Sequence, residues 1–236
     1  MRTTKKIIAL SISILLMVTL LAGCGSEAKK AMNEAVSTAT ELLEKGEKPL
    51  DKATKKDLEK AIASADEAKD DDAYAAVTKN INAASKAYKD SVKQLKQVTN
   101  PEESFIVERL KTVDSAIAVE AATEETDGNK LMNKPGEYTS YVAMRSSLVT
   151  DAYGLYDGMS PVEAGTDGGA VVEAFKTTEN AKKREEYLAG FDGSGLLSSG
   201  SHVVIGTLLV RTSTELTATQ QKELEKAVID ALTRLE

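Results

Sequence analysis

Tryptophan is absent, cysteine and histidine occur once each, and the 236 residues hold only three Phe and four Pro. One cysteine, Cys24, leaves no partner for an intramolecular disulfide and no Cys-ligated metal set. One histidine, His202, rules out the two-histidine H-E-x-x-H zinc motif, and no Ser/His/Asp spacing supports it as a catalytic base. Ser194, Ser198, Ser199 and Ser201 lack the G-x-S-x-G elbow that presents a nucleophile. Neither a G-x-x-x-x-G-K-[ST] phosphate loop nor a G-x-G-x-x-G fingerprint occurs. Basic residues are also in deficit, with 30 Lys and Arg against 37 Asp and Glu. Binding to nucleic acid needs clustered positive charge, so no nucleic-acid partner is expected.

Long apolar runs are scarce as well, and the only sustained one spans residues 7–21, broken by Ser11, Ser13 and Thr19. It falls short of the ~20 residues that a helix needs to cross hydrocarbon. Arg2, Lys5 and Lys6 precede it, and the small residues Ala22 and Gly23 follow. A positive flank, an apolar core and a small-residue site are the parts of a secretory signal peptide, expected over residues 1–23. The tetrad Leu21-Ala22-Gly23-Cys24 resembles the lipobox of bacterial lipoproteins. That resemblance implies a diacylglyceryl group on the Cys24 thiol and cleavage just before it. One acyl chain binds a membrane only marginally, at about 0.8 kcal/mol per buried CH2, whereas two make the attachment stable. The expected location is therefore the cell membrane, lipid-anchored at Cys24, on its extracytoplasmic face. Residues 1–23 carry three basic residues and no acid, which leaves 27 of the 30 basic residues against all 37 acids, a balance of −10. That surplus argues against the folded part lying flat on anionic lipid.

Aromatic residues divide the remainder. Of seven Tyr and three Phe, only Tyr74 and Tyr88 precede residue 100. Residues 24–98 are rich in Ala, Lys, Asp and Glu, and their apolar residues recur at helical spacing. Ala28, Met32, Ala35, Ala39 and Leu42 mark one helix, which Gly46 and the turn "GEKPLD" end. A second helix is expected from Thr54, with Thr54 and Asp57 as a capping pair and Leu58, Ala61, Ile62, Ala65 and Ala68 inward. A third begins near Asp70, Asp71 and Asp72, acids that favour the positive end of a helix dipole. Its stripe is Tyr74, Val77, Ile81, Ala84, Tyr88, Val92, Leu95 and Val98. Three such helices predict an antiparallel bundle, with a long two-helix coiled coil as the alternative. The stretch "DLEKAIASADEAKDDDAYAAVTKNINAASKAYKD" resembles the FIVAR-type helical modules of Gram-positive surface proteins. The resemblance implies a stalk, spacer or binding unit outside the cell.

Pro101 disfavours helix at Asn100, so residues 99–104 are expected as a linker, with Ser104 capping a short helix through Phe105, Ile106 and Leu110. In residues 105–236 the period shifts to two. Four strands are expected, in "SAIAVEAATEE", "YTSYVAMRSSLV", "GGAVVEAFKT" and "SHVVIGTLLVRTS", the last apolar on both sides and so central. Helices are expected near residues 178–189 and 219–235. The fold class is therefore α+β: a three-helix bundle, then an antiparallel or mixed four-stranded sheet with helices on one face, in a ferredoxin-like layout.

Chemistry is sparse in this second region. The Asp-Gly stretches "EETDGN", "GTDGG" and "FDGSG" lack the alternating ligands and closing Glu of an EF-hand and read as turns. No metal and no cofactor is expected. Tyr138, Tyr141, Tyr153 and Tyr156 form the candidate binding surface, because exposed loop tyrosines give large contact area at low entropy cost. Burial of the same residues as a lid on the sheet edge is the alternative. The expected function is a non-enzymatic binding or adhesion module whose partner is a cell-envelope protein or glycan. Two other readings stay open: an envelope hydrolase using carboxylates such as Glu173 and Asp167, and an accessory subunit of a membrane complex.

Overall fold

The computed structural model describes residues 26–150, 155–156, 158–193 and 200–236. Residues 1–23, expected as a signal peptide, and Cys24 and Tyr153 lie outside the described residues. Within them the chain is mixed α+β, with helices α1 (Glu27–Glu44), α2 (Lys52–Ala63) and α3 (Asp71–Gln97) preceding a five-stranded sheet.

Ser26 caps α1 by accepting from Lys29 N–H at 3.2 Å, and the helix turns Met32, Ala35, Ala39 and Leu42 inward. The start of α2 differs from expectation. Asp51 is its cap, accepting from Ala53 N–H at 2.8 Å, while the Thr54 hydroxyl donates to the Asp51 carbonyl at 2.7 Å. Asp70 caps α3 by accepting from Ala73 N–H at 2.8 Å, with Asp71 and Asp72 in the first turn. Ala35, Ala39, Leu42, Leu58, Ile81, Tyr88 and Val92 form the bundle core. Polar ties that include the following two fix the connection between α1 and α2 against α3. The Tyr88 hydroxyl donates to the Glu47 carbonyl, and Ser91 accepts from Asp51 N–H at 2.8 Å through its hydroxyl.

The end of α3 is docked onto the second region. Val98 is fully buried within that region's core, and its carbonyl accepts from Thr207 N–H at 3.0 Å. Asn100 N–H donates to the Thr207 hydroxyl at 2.8 Å, and the Gln97 amide donates to the Leu232 carbonyl at 2.7 Å. Gly206, at φ +59°, makes this contact feasible: a Cβ there would lie 2.3 Å from the Val98 carbonyl oxygen. Helix α4 (Glu103–Leu110) follows, with Glu102 at its N-cap, so Ser104 sits inside the helix instead of capping it.

The strands are β1 (Ala116–Ala121), β2 (Ser140–Ser146), β3 (Gly169–Ala174), β4 (His202–Ile205) and β5 (Leu208–Thr212). They lie in the order β1-β2-β3-β5-β4, every neighbouring pair antiparallel. The stretch expected as one central strand, 202–212, is thus a hairpin turned at Gly206 and Thr207, which brings the strand count to five. The other helices are α5 (Pro161–Ala164), α6 (Thr178–Ala189) and α7 (Ala218–Thr233).

Side chains alternate between two covered faces. Val142, Met144, Ala170, Val172, Leu208 and Val210 pack with Ile106 and Leu110 of α4 and Leu224, Val228 and Leu232 of α7. Tyr141, Ala143, Val171 and Leu209 pack on the opposite face with Phe175 and with Ala181 and Leu188 of α6. Helices therefore cover both faces, not the single face expected of a ferredoxin-like layout. The reason is the one that apolar alternation gives: central strands β3 and β5 are apolar on both sides, and both sides need cover. Among the described residues no helix is long and apolar enough to cross a membrane.

Candidate functional site

Strand register gathers charge in the middle of the second face. Glu173 of β3 stands opposite Tyr141 of β2 and opposite Leu209 of β5, and Arg211 of β5 stands opposite Val171 of β3. Glu173 is fully buried. Arg184 of α6 grips it with two bonds, Nε to Oε2 at 3.1 Å and Nη2 to Oε1 at 3.4 Å. Arg211 adds a third, Nη1 to Oε1 at 2.9 Å. Both arginine side chains are only 11% exposed. Burial works against the charge of Arg184, but the Glu173 carboxylate beside it outweighs that and raises its pKa. Two buried guanidinium groups thus share one carboxylate.

This cluster floors a cavity of about 700 Å³. Tyr141, Arg184 and Arg211 line it below, while Leu131, Leu188, Tyr187 and Phe191 form apolar wall. The Tyr187 and Phe191 rings meet edge-on at 5.1 Å. Glu163 and Asp167 are exposed and stand at the opening, carried by α5 and the following 3-10 turn, Gly165–Gly168. The turn runs into β3 at Gly169, φ +153°, where a Cβ would lie 2.8 Å from the Met144 carbonyl oxygen of β2. Burial pushes the Tyr141 hydroxyl up to about 12, with Arg211 drawing it down and Glu173 pushing it up, so near neutral pH it is a protonated donor.

The four expected tyrosines do not make one surface. Tyr138 is fully buried, so its assignment to an exposed binding surface is corrected: its ring packs 5.7 Å from Tyr141 and edge-on to Phe175 at 6.1 Å. Its hydroxyl donates to Asp127 Oδ1 at 2.7 Å. Tyr141 is 6% exposed and reaches the cavity floor; Tyr156 is 59% exposed. Asp127, from the "EETDGN" stretch, organises its own loop. Its Oδ2 accepts from Leu131 N–H at 2.8 Å and Met132 N–H at 2.9 Å, and its Oδ1 also accepts from Asn129 N–H at 3.1 Å. Burial would raise its pKa, but the Met132 N–H, the Tyr138 hydroxyl and the Leu131 and Asn129 N–H groups together hold it below the ordinary value. With its oxygens so engaged, this carboxylate is a loop anchor and not a calcium ligand. His202 Nε2 lies 3.3 Å from both Asp192 oxygens, and among the described residues its buried Nδ1 has no partner. Among the described residues no group of three or more His, Cys, Asp or Glu is able to hold a metal ion.

Arg184 and Arg211 escaped the sequence reading, which followed acids and tyrosines. The available signal was a charge inside each of two apolar runs, Glu173 in "GAVVEAF" and Arg211 in "TLLVRTS". Opposite charges in neighbouring buried strands imply a partnered pair. Comparison of the chain with protein-family models, with curated proteins and with solved structures finds no match.

Proposed function

We propose that this chain is a lipid-anchored, extracytoplasmic binding module, tethered through Cys24 and without catalytic activity of its own. The cavity on the second sheet face is its binding site, and that cavity is the observation that carries the reading. Its volume of about 700 Å³ falls in the range of small-molecule sites, and it combines apolar wall with a few convergent polar groups. The tether rests on the lipobox-like tetrad and its flanks, and the bundle serves as the spacer between lipid and site. Glu173, the strongest carboxylate for the hydrolase reading, has both oxygens occupied by guanidinium groups and no exposure, which suits a counter-ion and not a proton donor.

The test reconstitutes the mature protein on lipid vesicles through its own anchor and equilibrates it with separated protein, glycan and low-mass envelope fractions. Selective retention of one fraction is expected, together with a diacylglyceryl mass on the terminal cysteine. Retention of nothing, or a cytosolic product still carrying residues 1–23 with an unmodified thiol, overturns the reading.

A further inference from the structure

The polar groups at the cavity floor are unequally used, and the inequality points to a ligand. Arg184 spends its Nε–Nη2 edge on both oxygens of Glu173. Arg211 reaches the same carboxylate only through Nη1. Among the described residues its Nε is buried out of reach and without a partner, and its Nη2, which is not so enclosed, makes no hydrogen bond. Nη2 is therefore a charged donor left for an anion such as a carboxylate. Charge agrees: among the described residues Glu173 is the one carboxylate hydrogen-bonded to either guanidinium group, and a buried charge is costly unless it is paired. The Tyr141 hydroxyl lines the same cavity, makes no hydrogen bond among the described residues, and supplies a further donor.

Opposite chemistry stands at the mouth. The Asp167 carboxylate is exposed and makes no hydrogen bond or ion pair among the described residues. Glu163, beside it, accepts from Ser160 N–H at 2.9 Å through one oxygen. An anion-seeking floor, an acidic mouth and an apolar wall of Leu131, Tyr187 and Phe191 together describe a zwitterion with an apolar substituent. Resting on the binding reading above, we infer that the second-face cavity takes a free apolar α-amino acid. Its carboxylate accepts from Arg211 Nη2 and the Tyr141 hydroxyl, its ammonium faces Asp167, and its side chain lies against the Tyr187–Phe191 wall.

Isothermal titration of the mature protein in detergent micelles tests this with L-leucine, L-phenylalanine, leucinamide, N-acetyl-leucine and inorganic phosphate. The free amino acids bind, and leucinamide, which lacks the carboxylate, binds at least about tenfold more weakly. Arg211→Lys keeps the charge but takes away the Nη2 donor and weakens leucine by at least about tenfold. Asp167→Asn, an exposed change, weakens leucine while leaving N-acetyl-leucine unaltered. Leucinamide binding as tightly as leucine, phosphate binding in place of the amino acids, or Arg211→Lys at full affinity with an unchanged circular dichroism spectrum overturns the inference. If no amino acid binds but the low-mass envelope fraction is still retained, the ligand class is wrong and the binding module stands; if neither is retained, both fall.

Discussion

The bundle and the sheet region bury different things. The bundle core holds two alanines among its seven residues, and its buried polar residues are the neutral Ser85 and Ser91. The sheet region buries Arg109, Asp127 and Glu173 and nearly buries Arg184 and Arg211. Small apolar residues let helices approach closely but contribute little free energy each, at about 25 cal/mol per Å² buried. Buried charge costs free energy unless it is paired, so its concentration on one sheet face marks where the fold accepts a cost that packing alone does not require. The difference fits the proposed reading, in which the bundle supports and the sheet recognises. It also makes the two regions separable by mutation.

The largest effect is expected at the charged cluster. Glu173→Gln leaves two buried guanidinium groups without a counter-ion and costs about 3–5 kcal/mol in urea unfolding. A loss close to zero would break the contrast, because it would mean that the cluster is solvated in practice. In the bundle, Leu58→Ala removes a fully buried side chain and costs about 2–4 kcal/mol. Far-UV and tyrosine signals should lose coincidence in that variant if the bundle melts first.

Next comes the contact that joins the regions. Gly206→Ala forces a Cβ against the Val98 carbonyl at a positive φ, and costs about 1–3 kcal/mol. Hydrogen exchange should quicken at Thr207 and Asn100, whose N–H groups the contact protects. Asp127→Asn also costs about 1–3 kcal/mol, by unpairing buried donors of its loop. Its pH dependence has a definite sign. Because the folded-state pKa of Asp127 lies below the ordinary carboxylate value, its stabilisation is complete above about pH 4. It is lost as pH falls through the depressed folded value, so the gap between wild type and Asp127→Asn closes in acid. The smallest effect belongs to the bundle's exposed surface, where Lys86→Ala removes the i,i+4 pair with Asp90 at less than about 0.5 kcal/mol.

The same contrast explains what could be read from the chain. The bundle was legible because helical spacing is a local property: Met32, Ala35, Ala39 and Leu42 are buried as their spacing required. Only the start of α2 shifted, since Asp51 outcompeted Thr54 for the cap. In the sheet region, the β4–β5 hairpin stayed hidden because Gly206 and Thr207 turn the chain inside an apolar run with no polar break. Helices on both faces follow from apolarity on both sides of the central strands, which the sequence shows most plainly in "SHVVIGTLLVRTS". The cavity was not legible, because joining Glu173, Arg184 and Arg211 takes register between β3 and β5 and the placement of α6. Tyr138 opens the second expected strand, and nothing in its neighbours shows that Asp127, eleven positions away, gives its hydroxyl a buried partner.

The most direct test of recognition by the sheet and support by the bundle is amide NMR of the mature protein titrated with the low-mass envelope fraction. Shifts gathered at Leu131, Tyr141, Tyr187 and Arg211, with α1, α2 and α3 unmoved, are the result predicted. Shifts confined to the three helices, with the second sheet face silent, would contradict it.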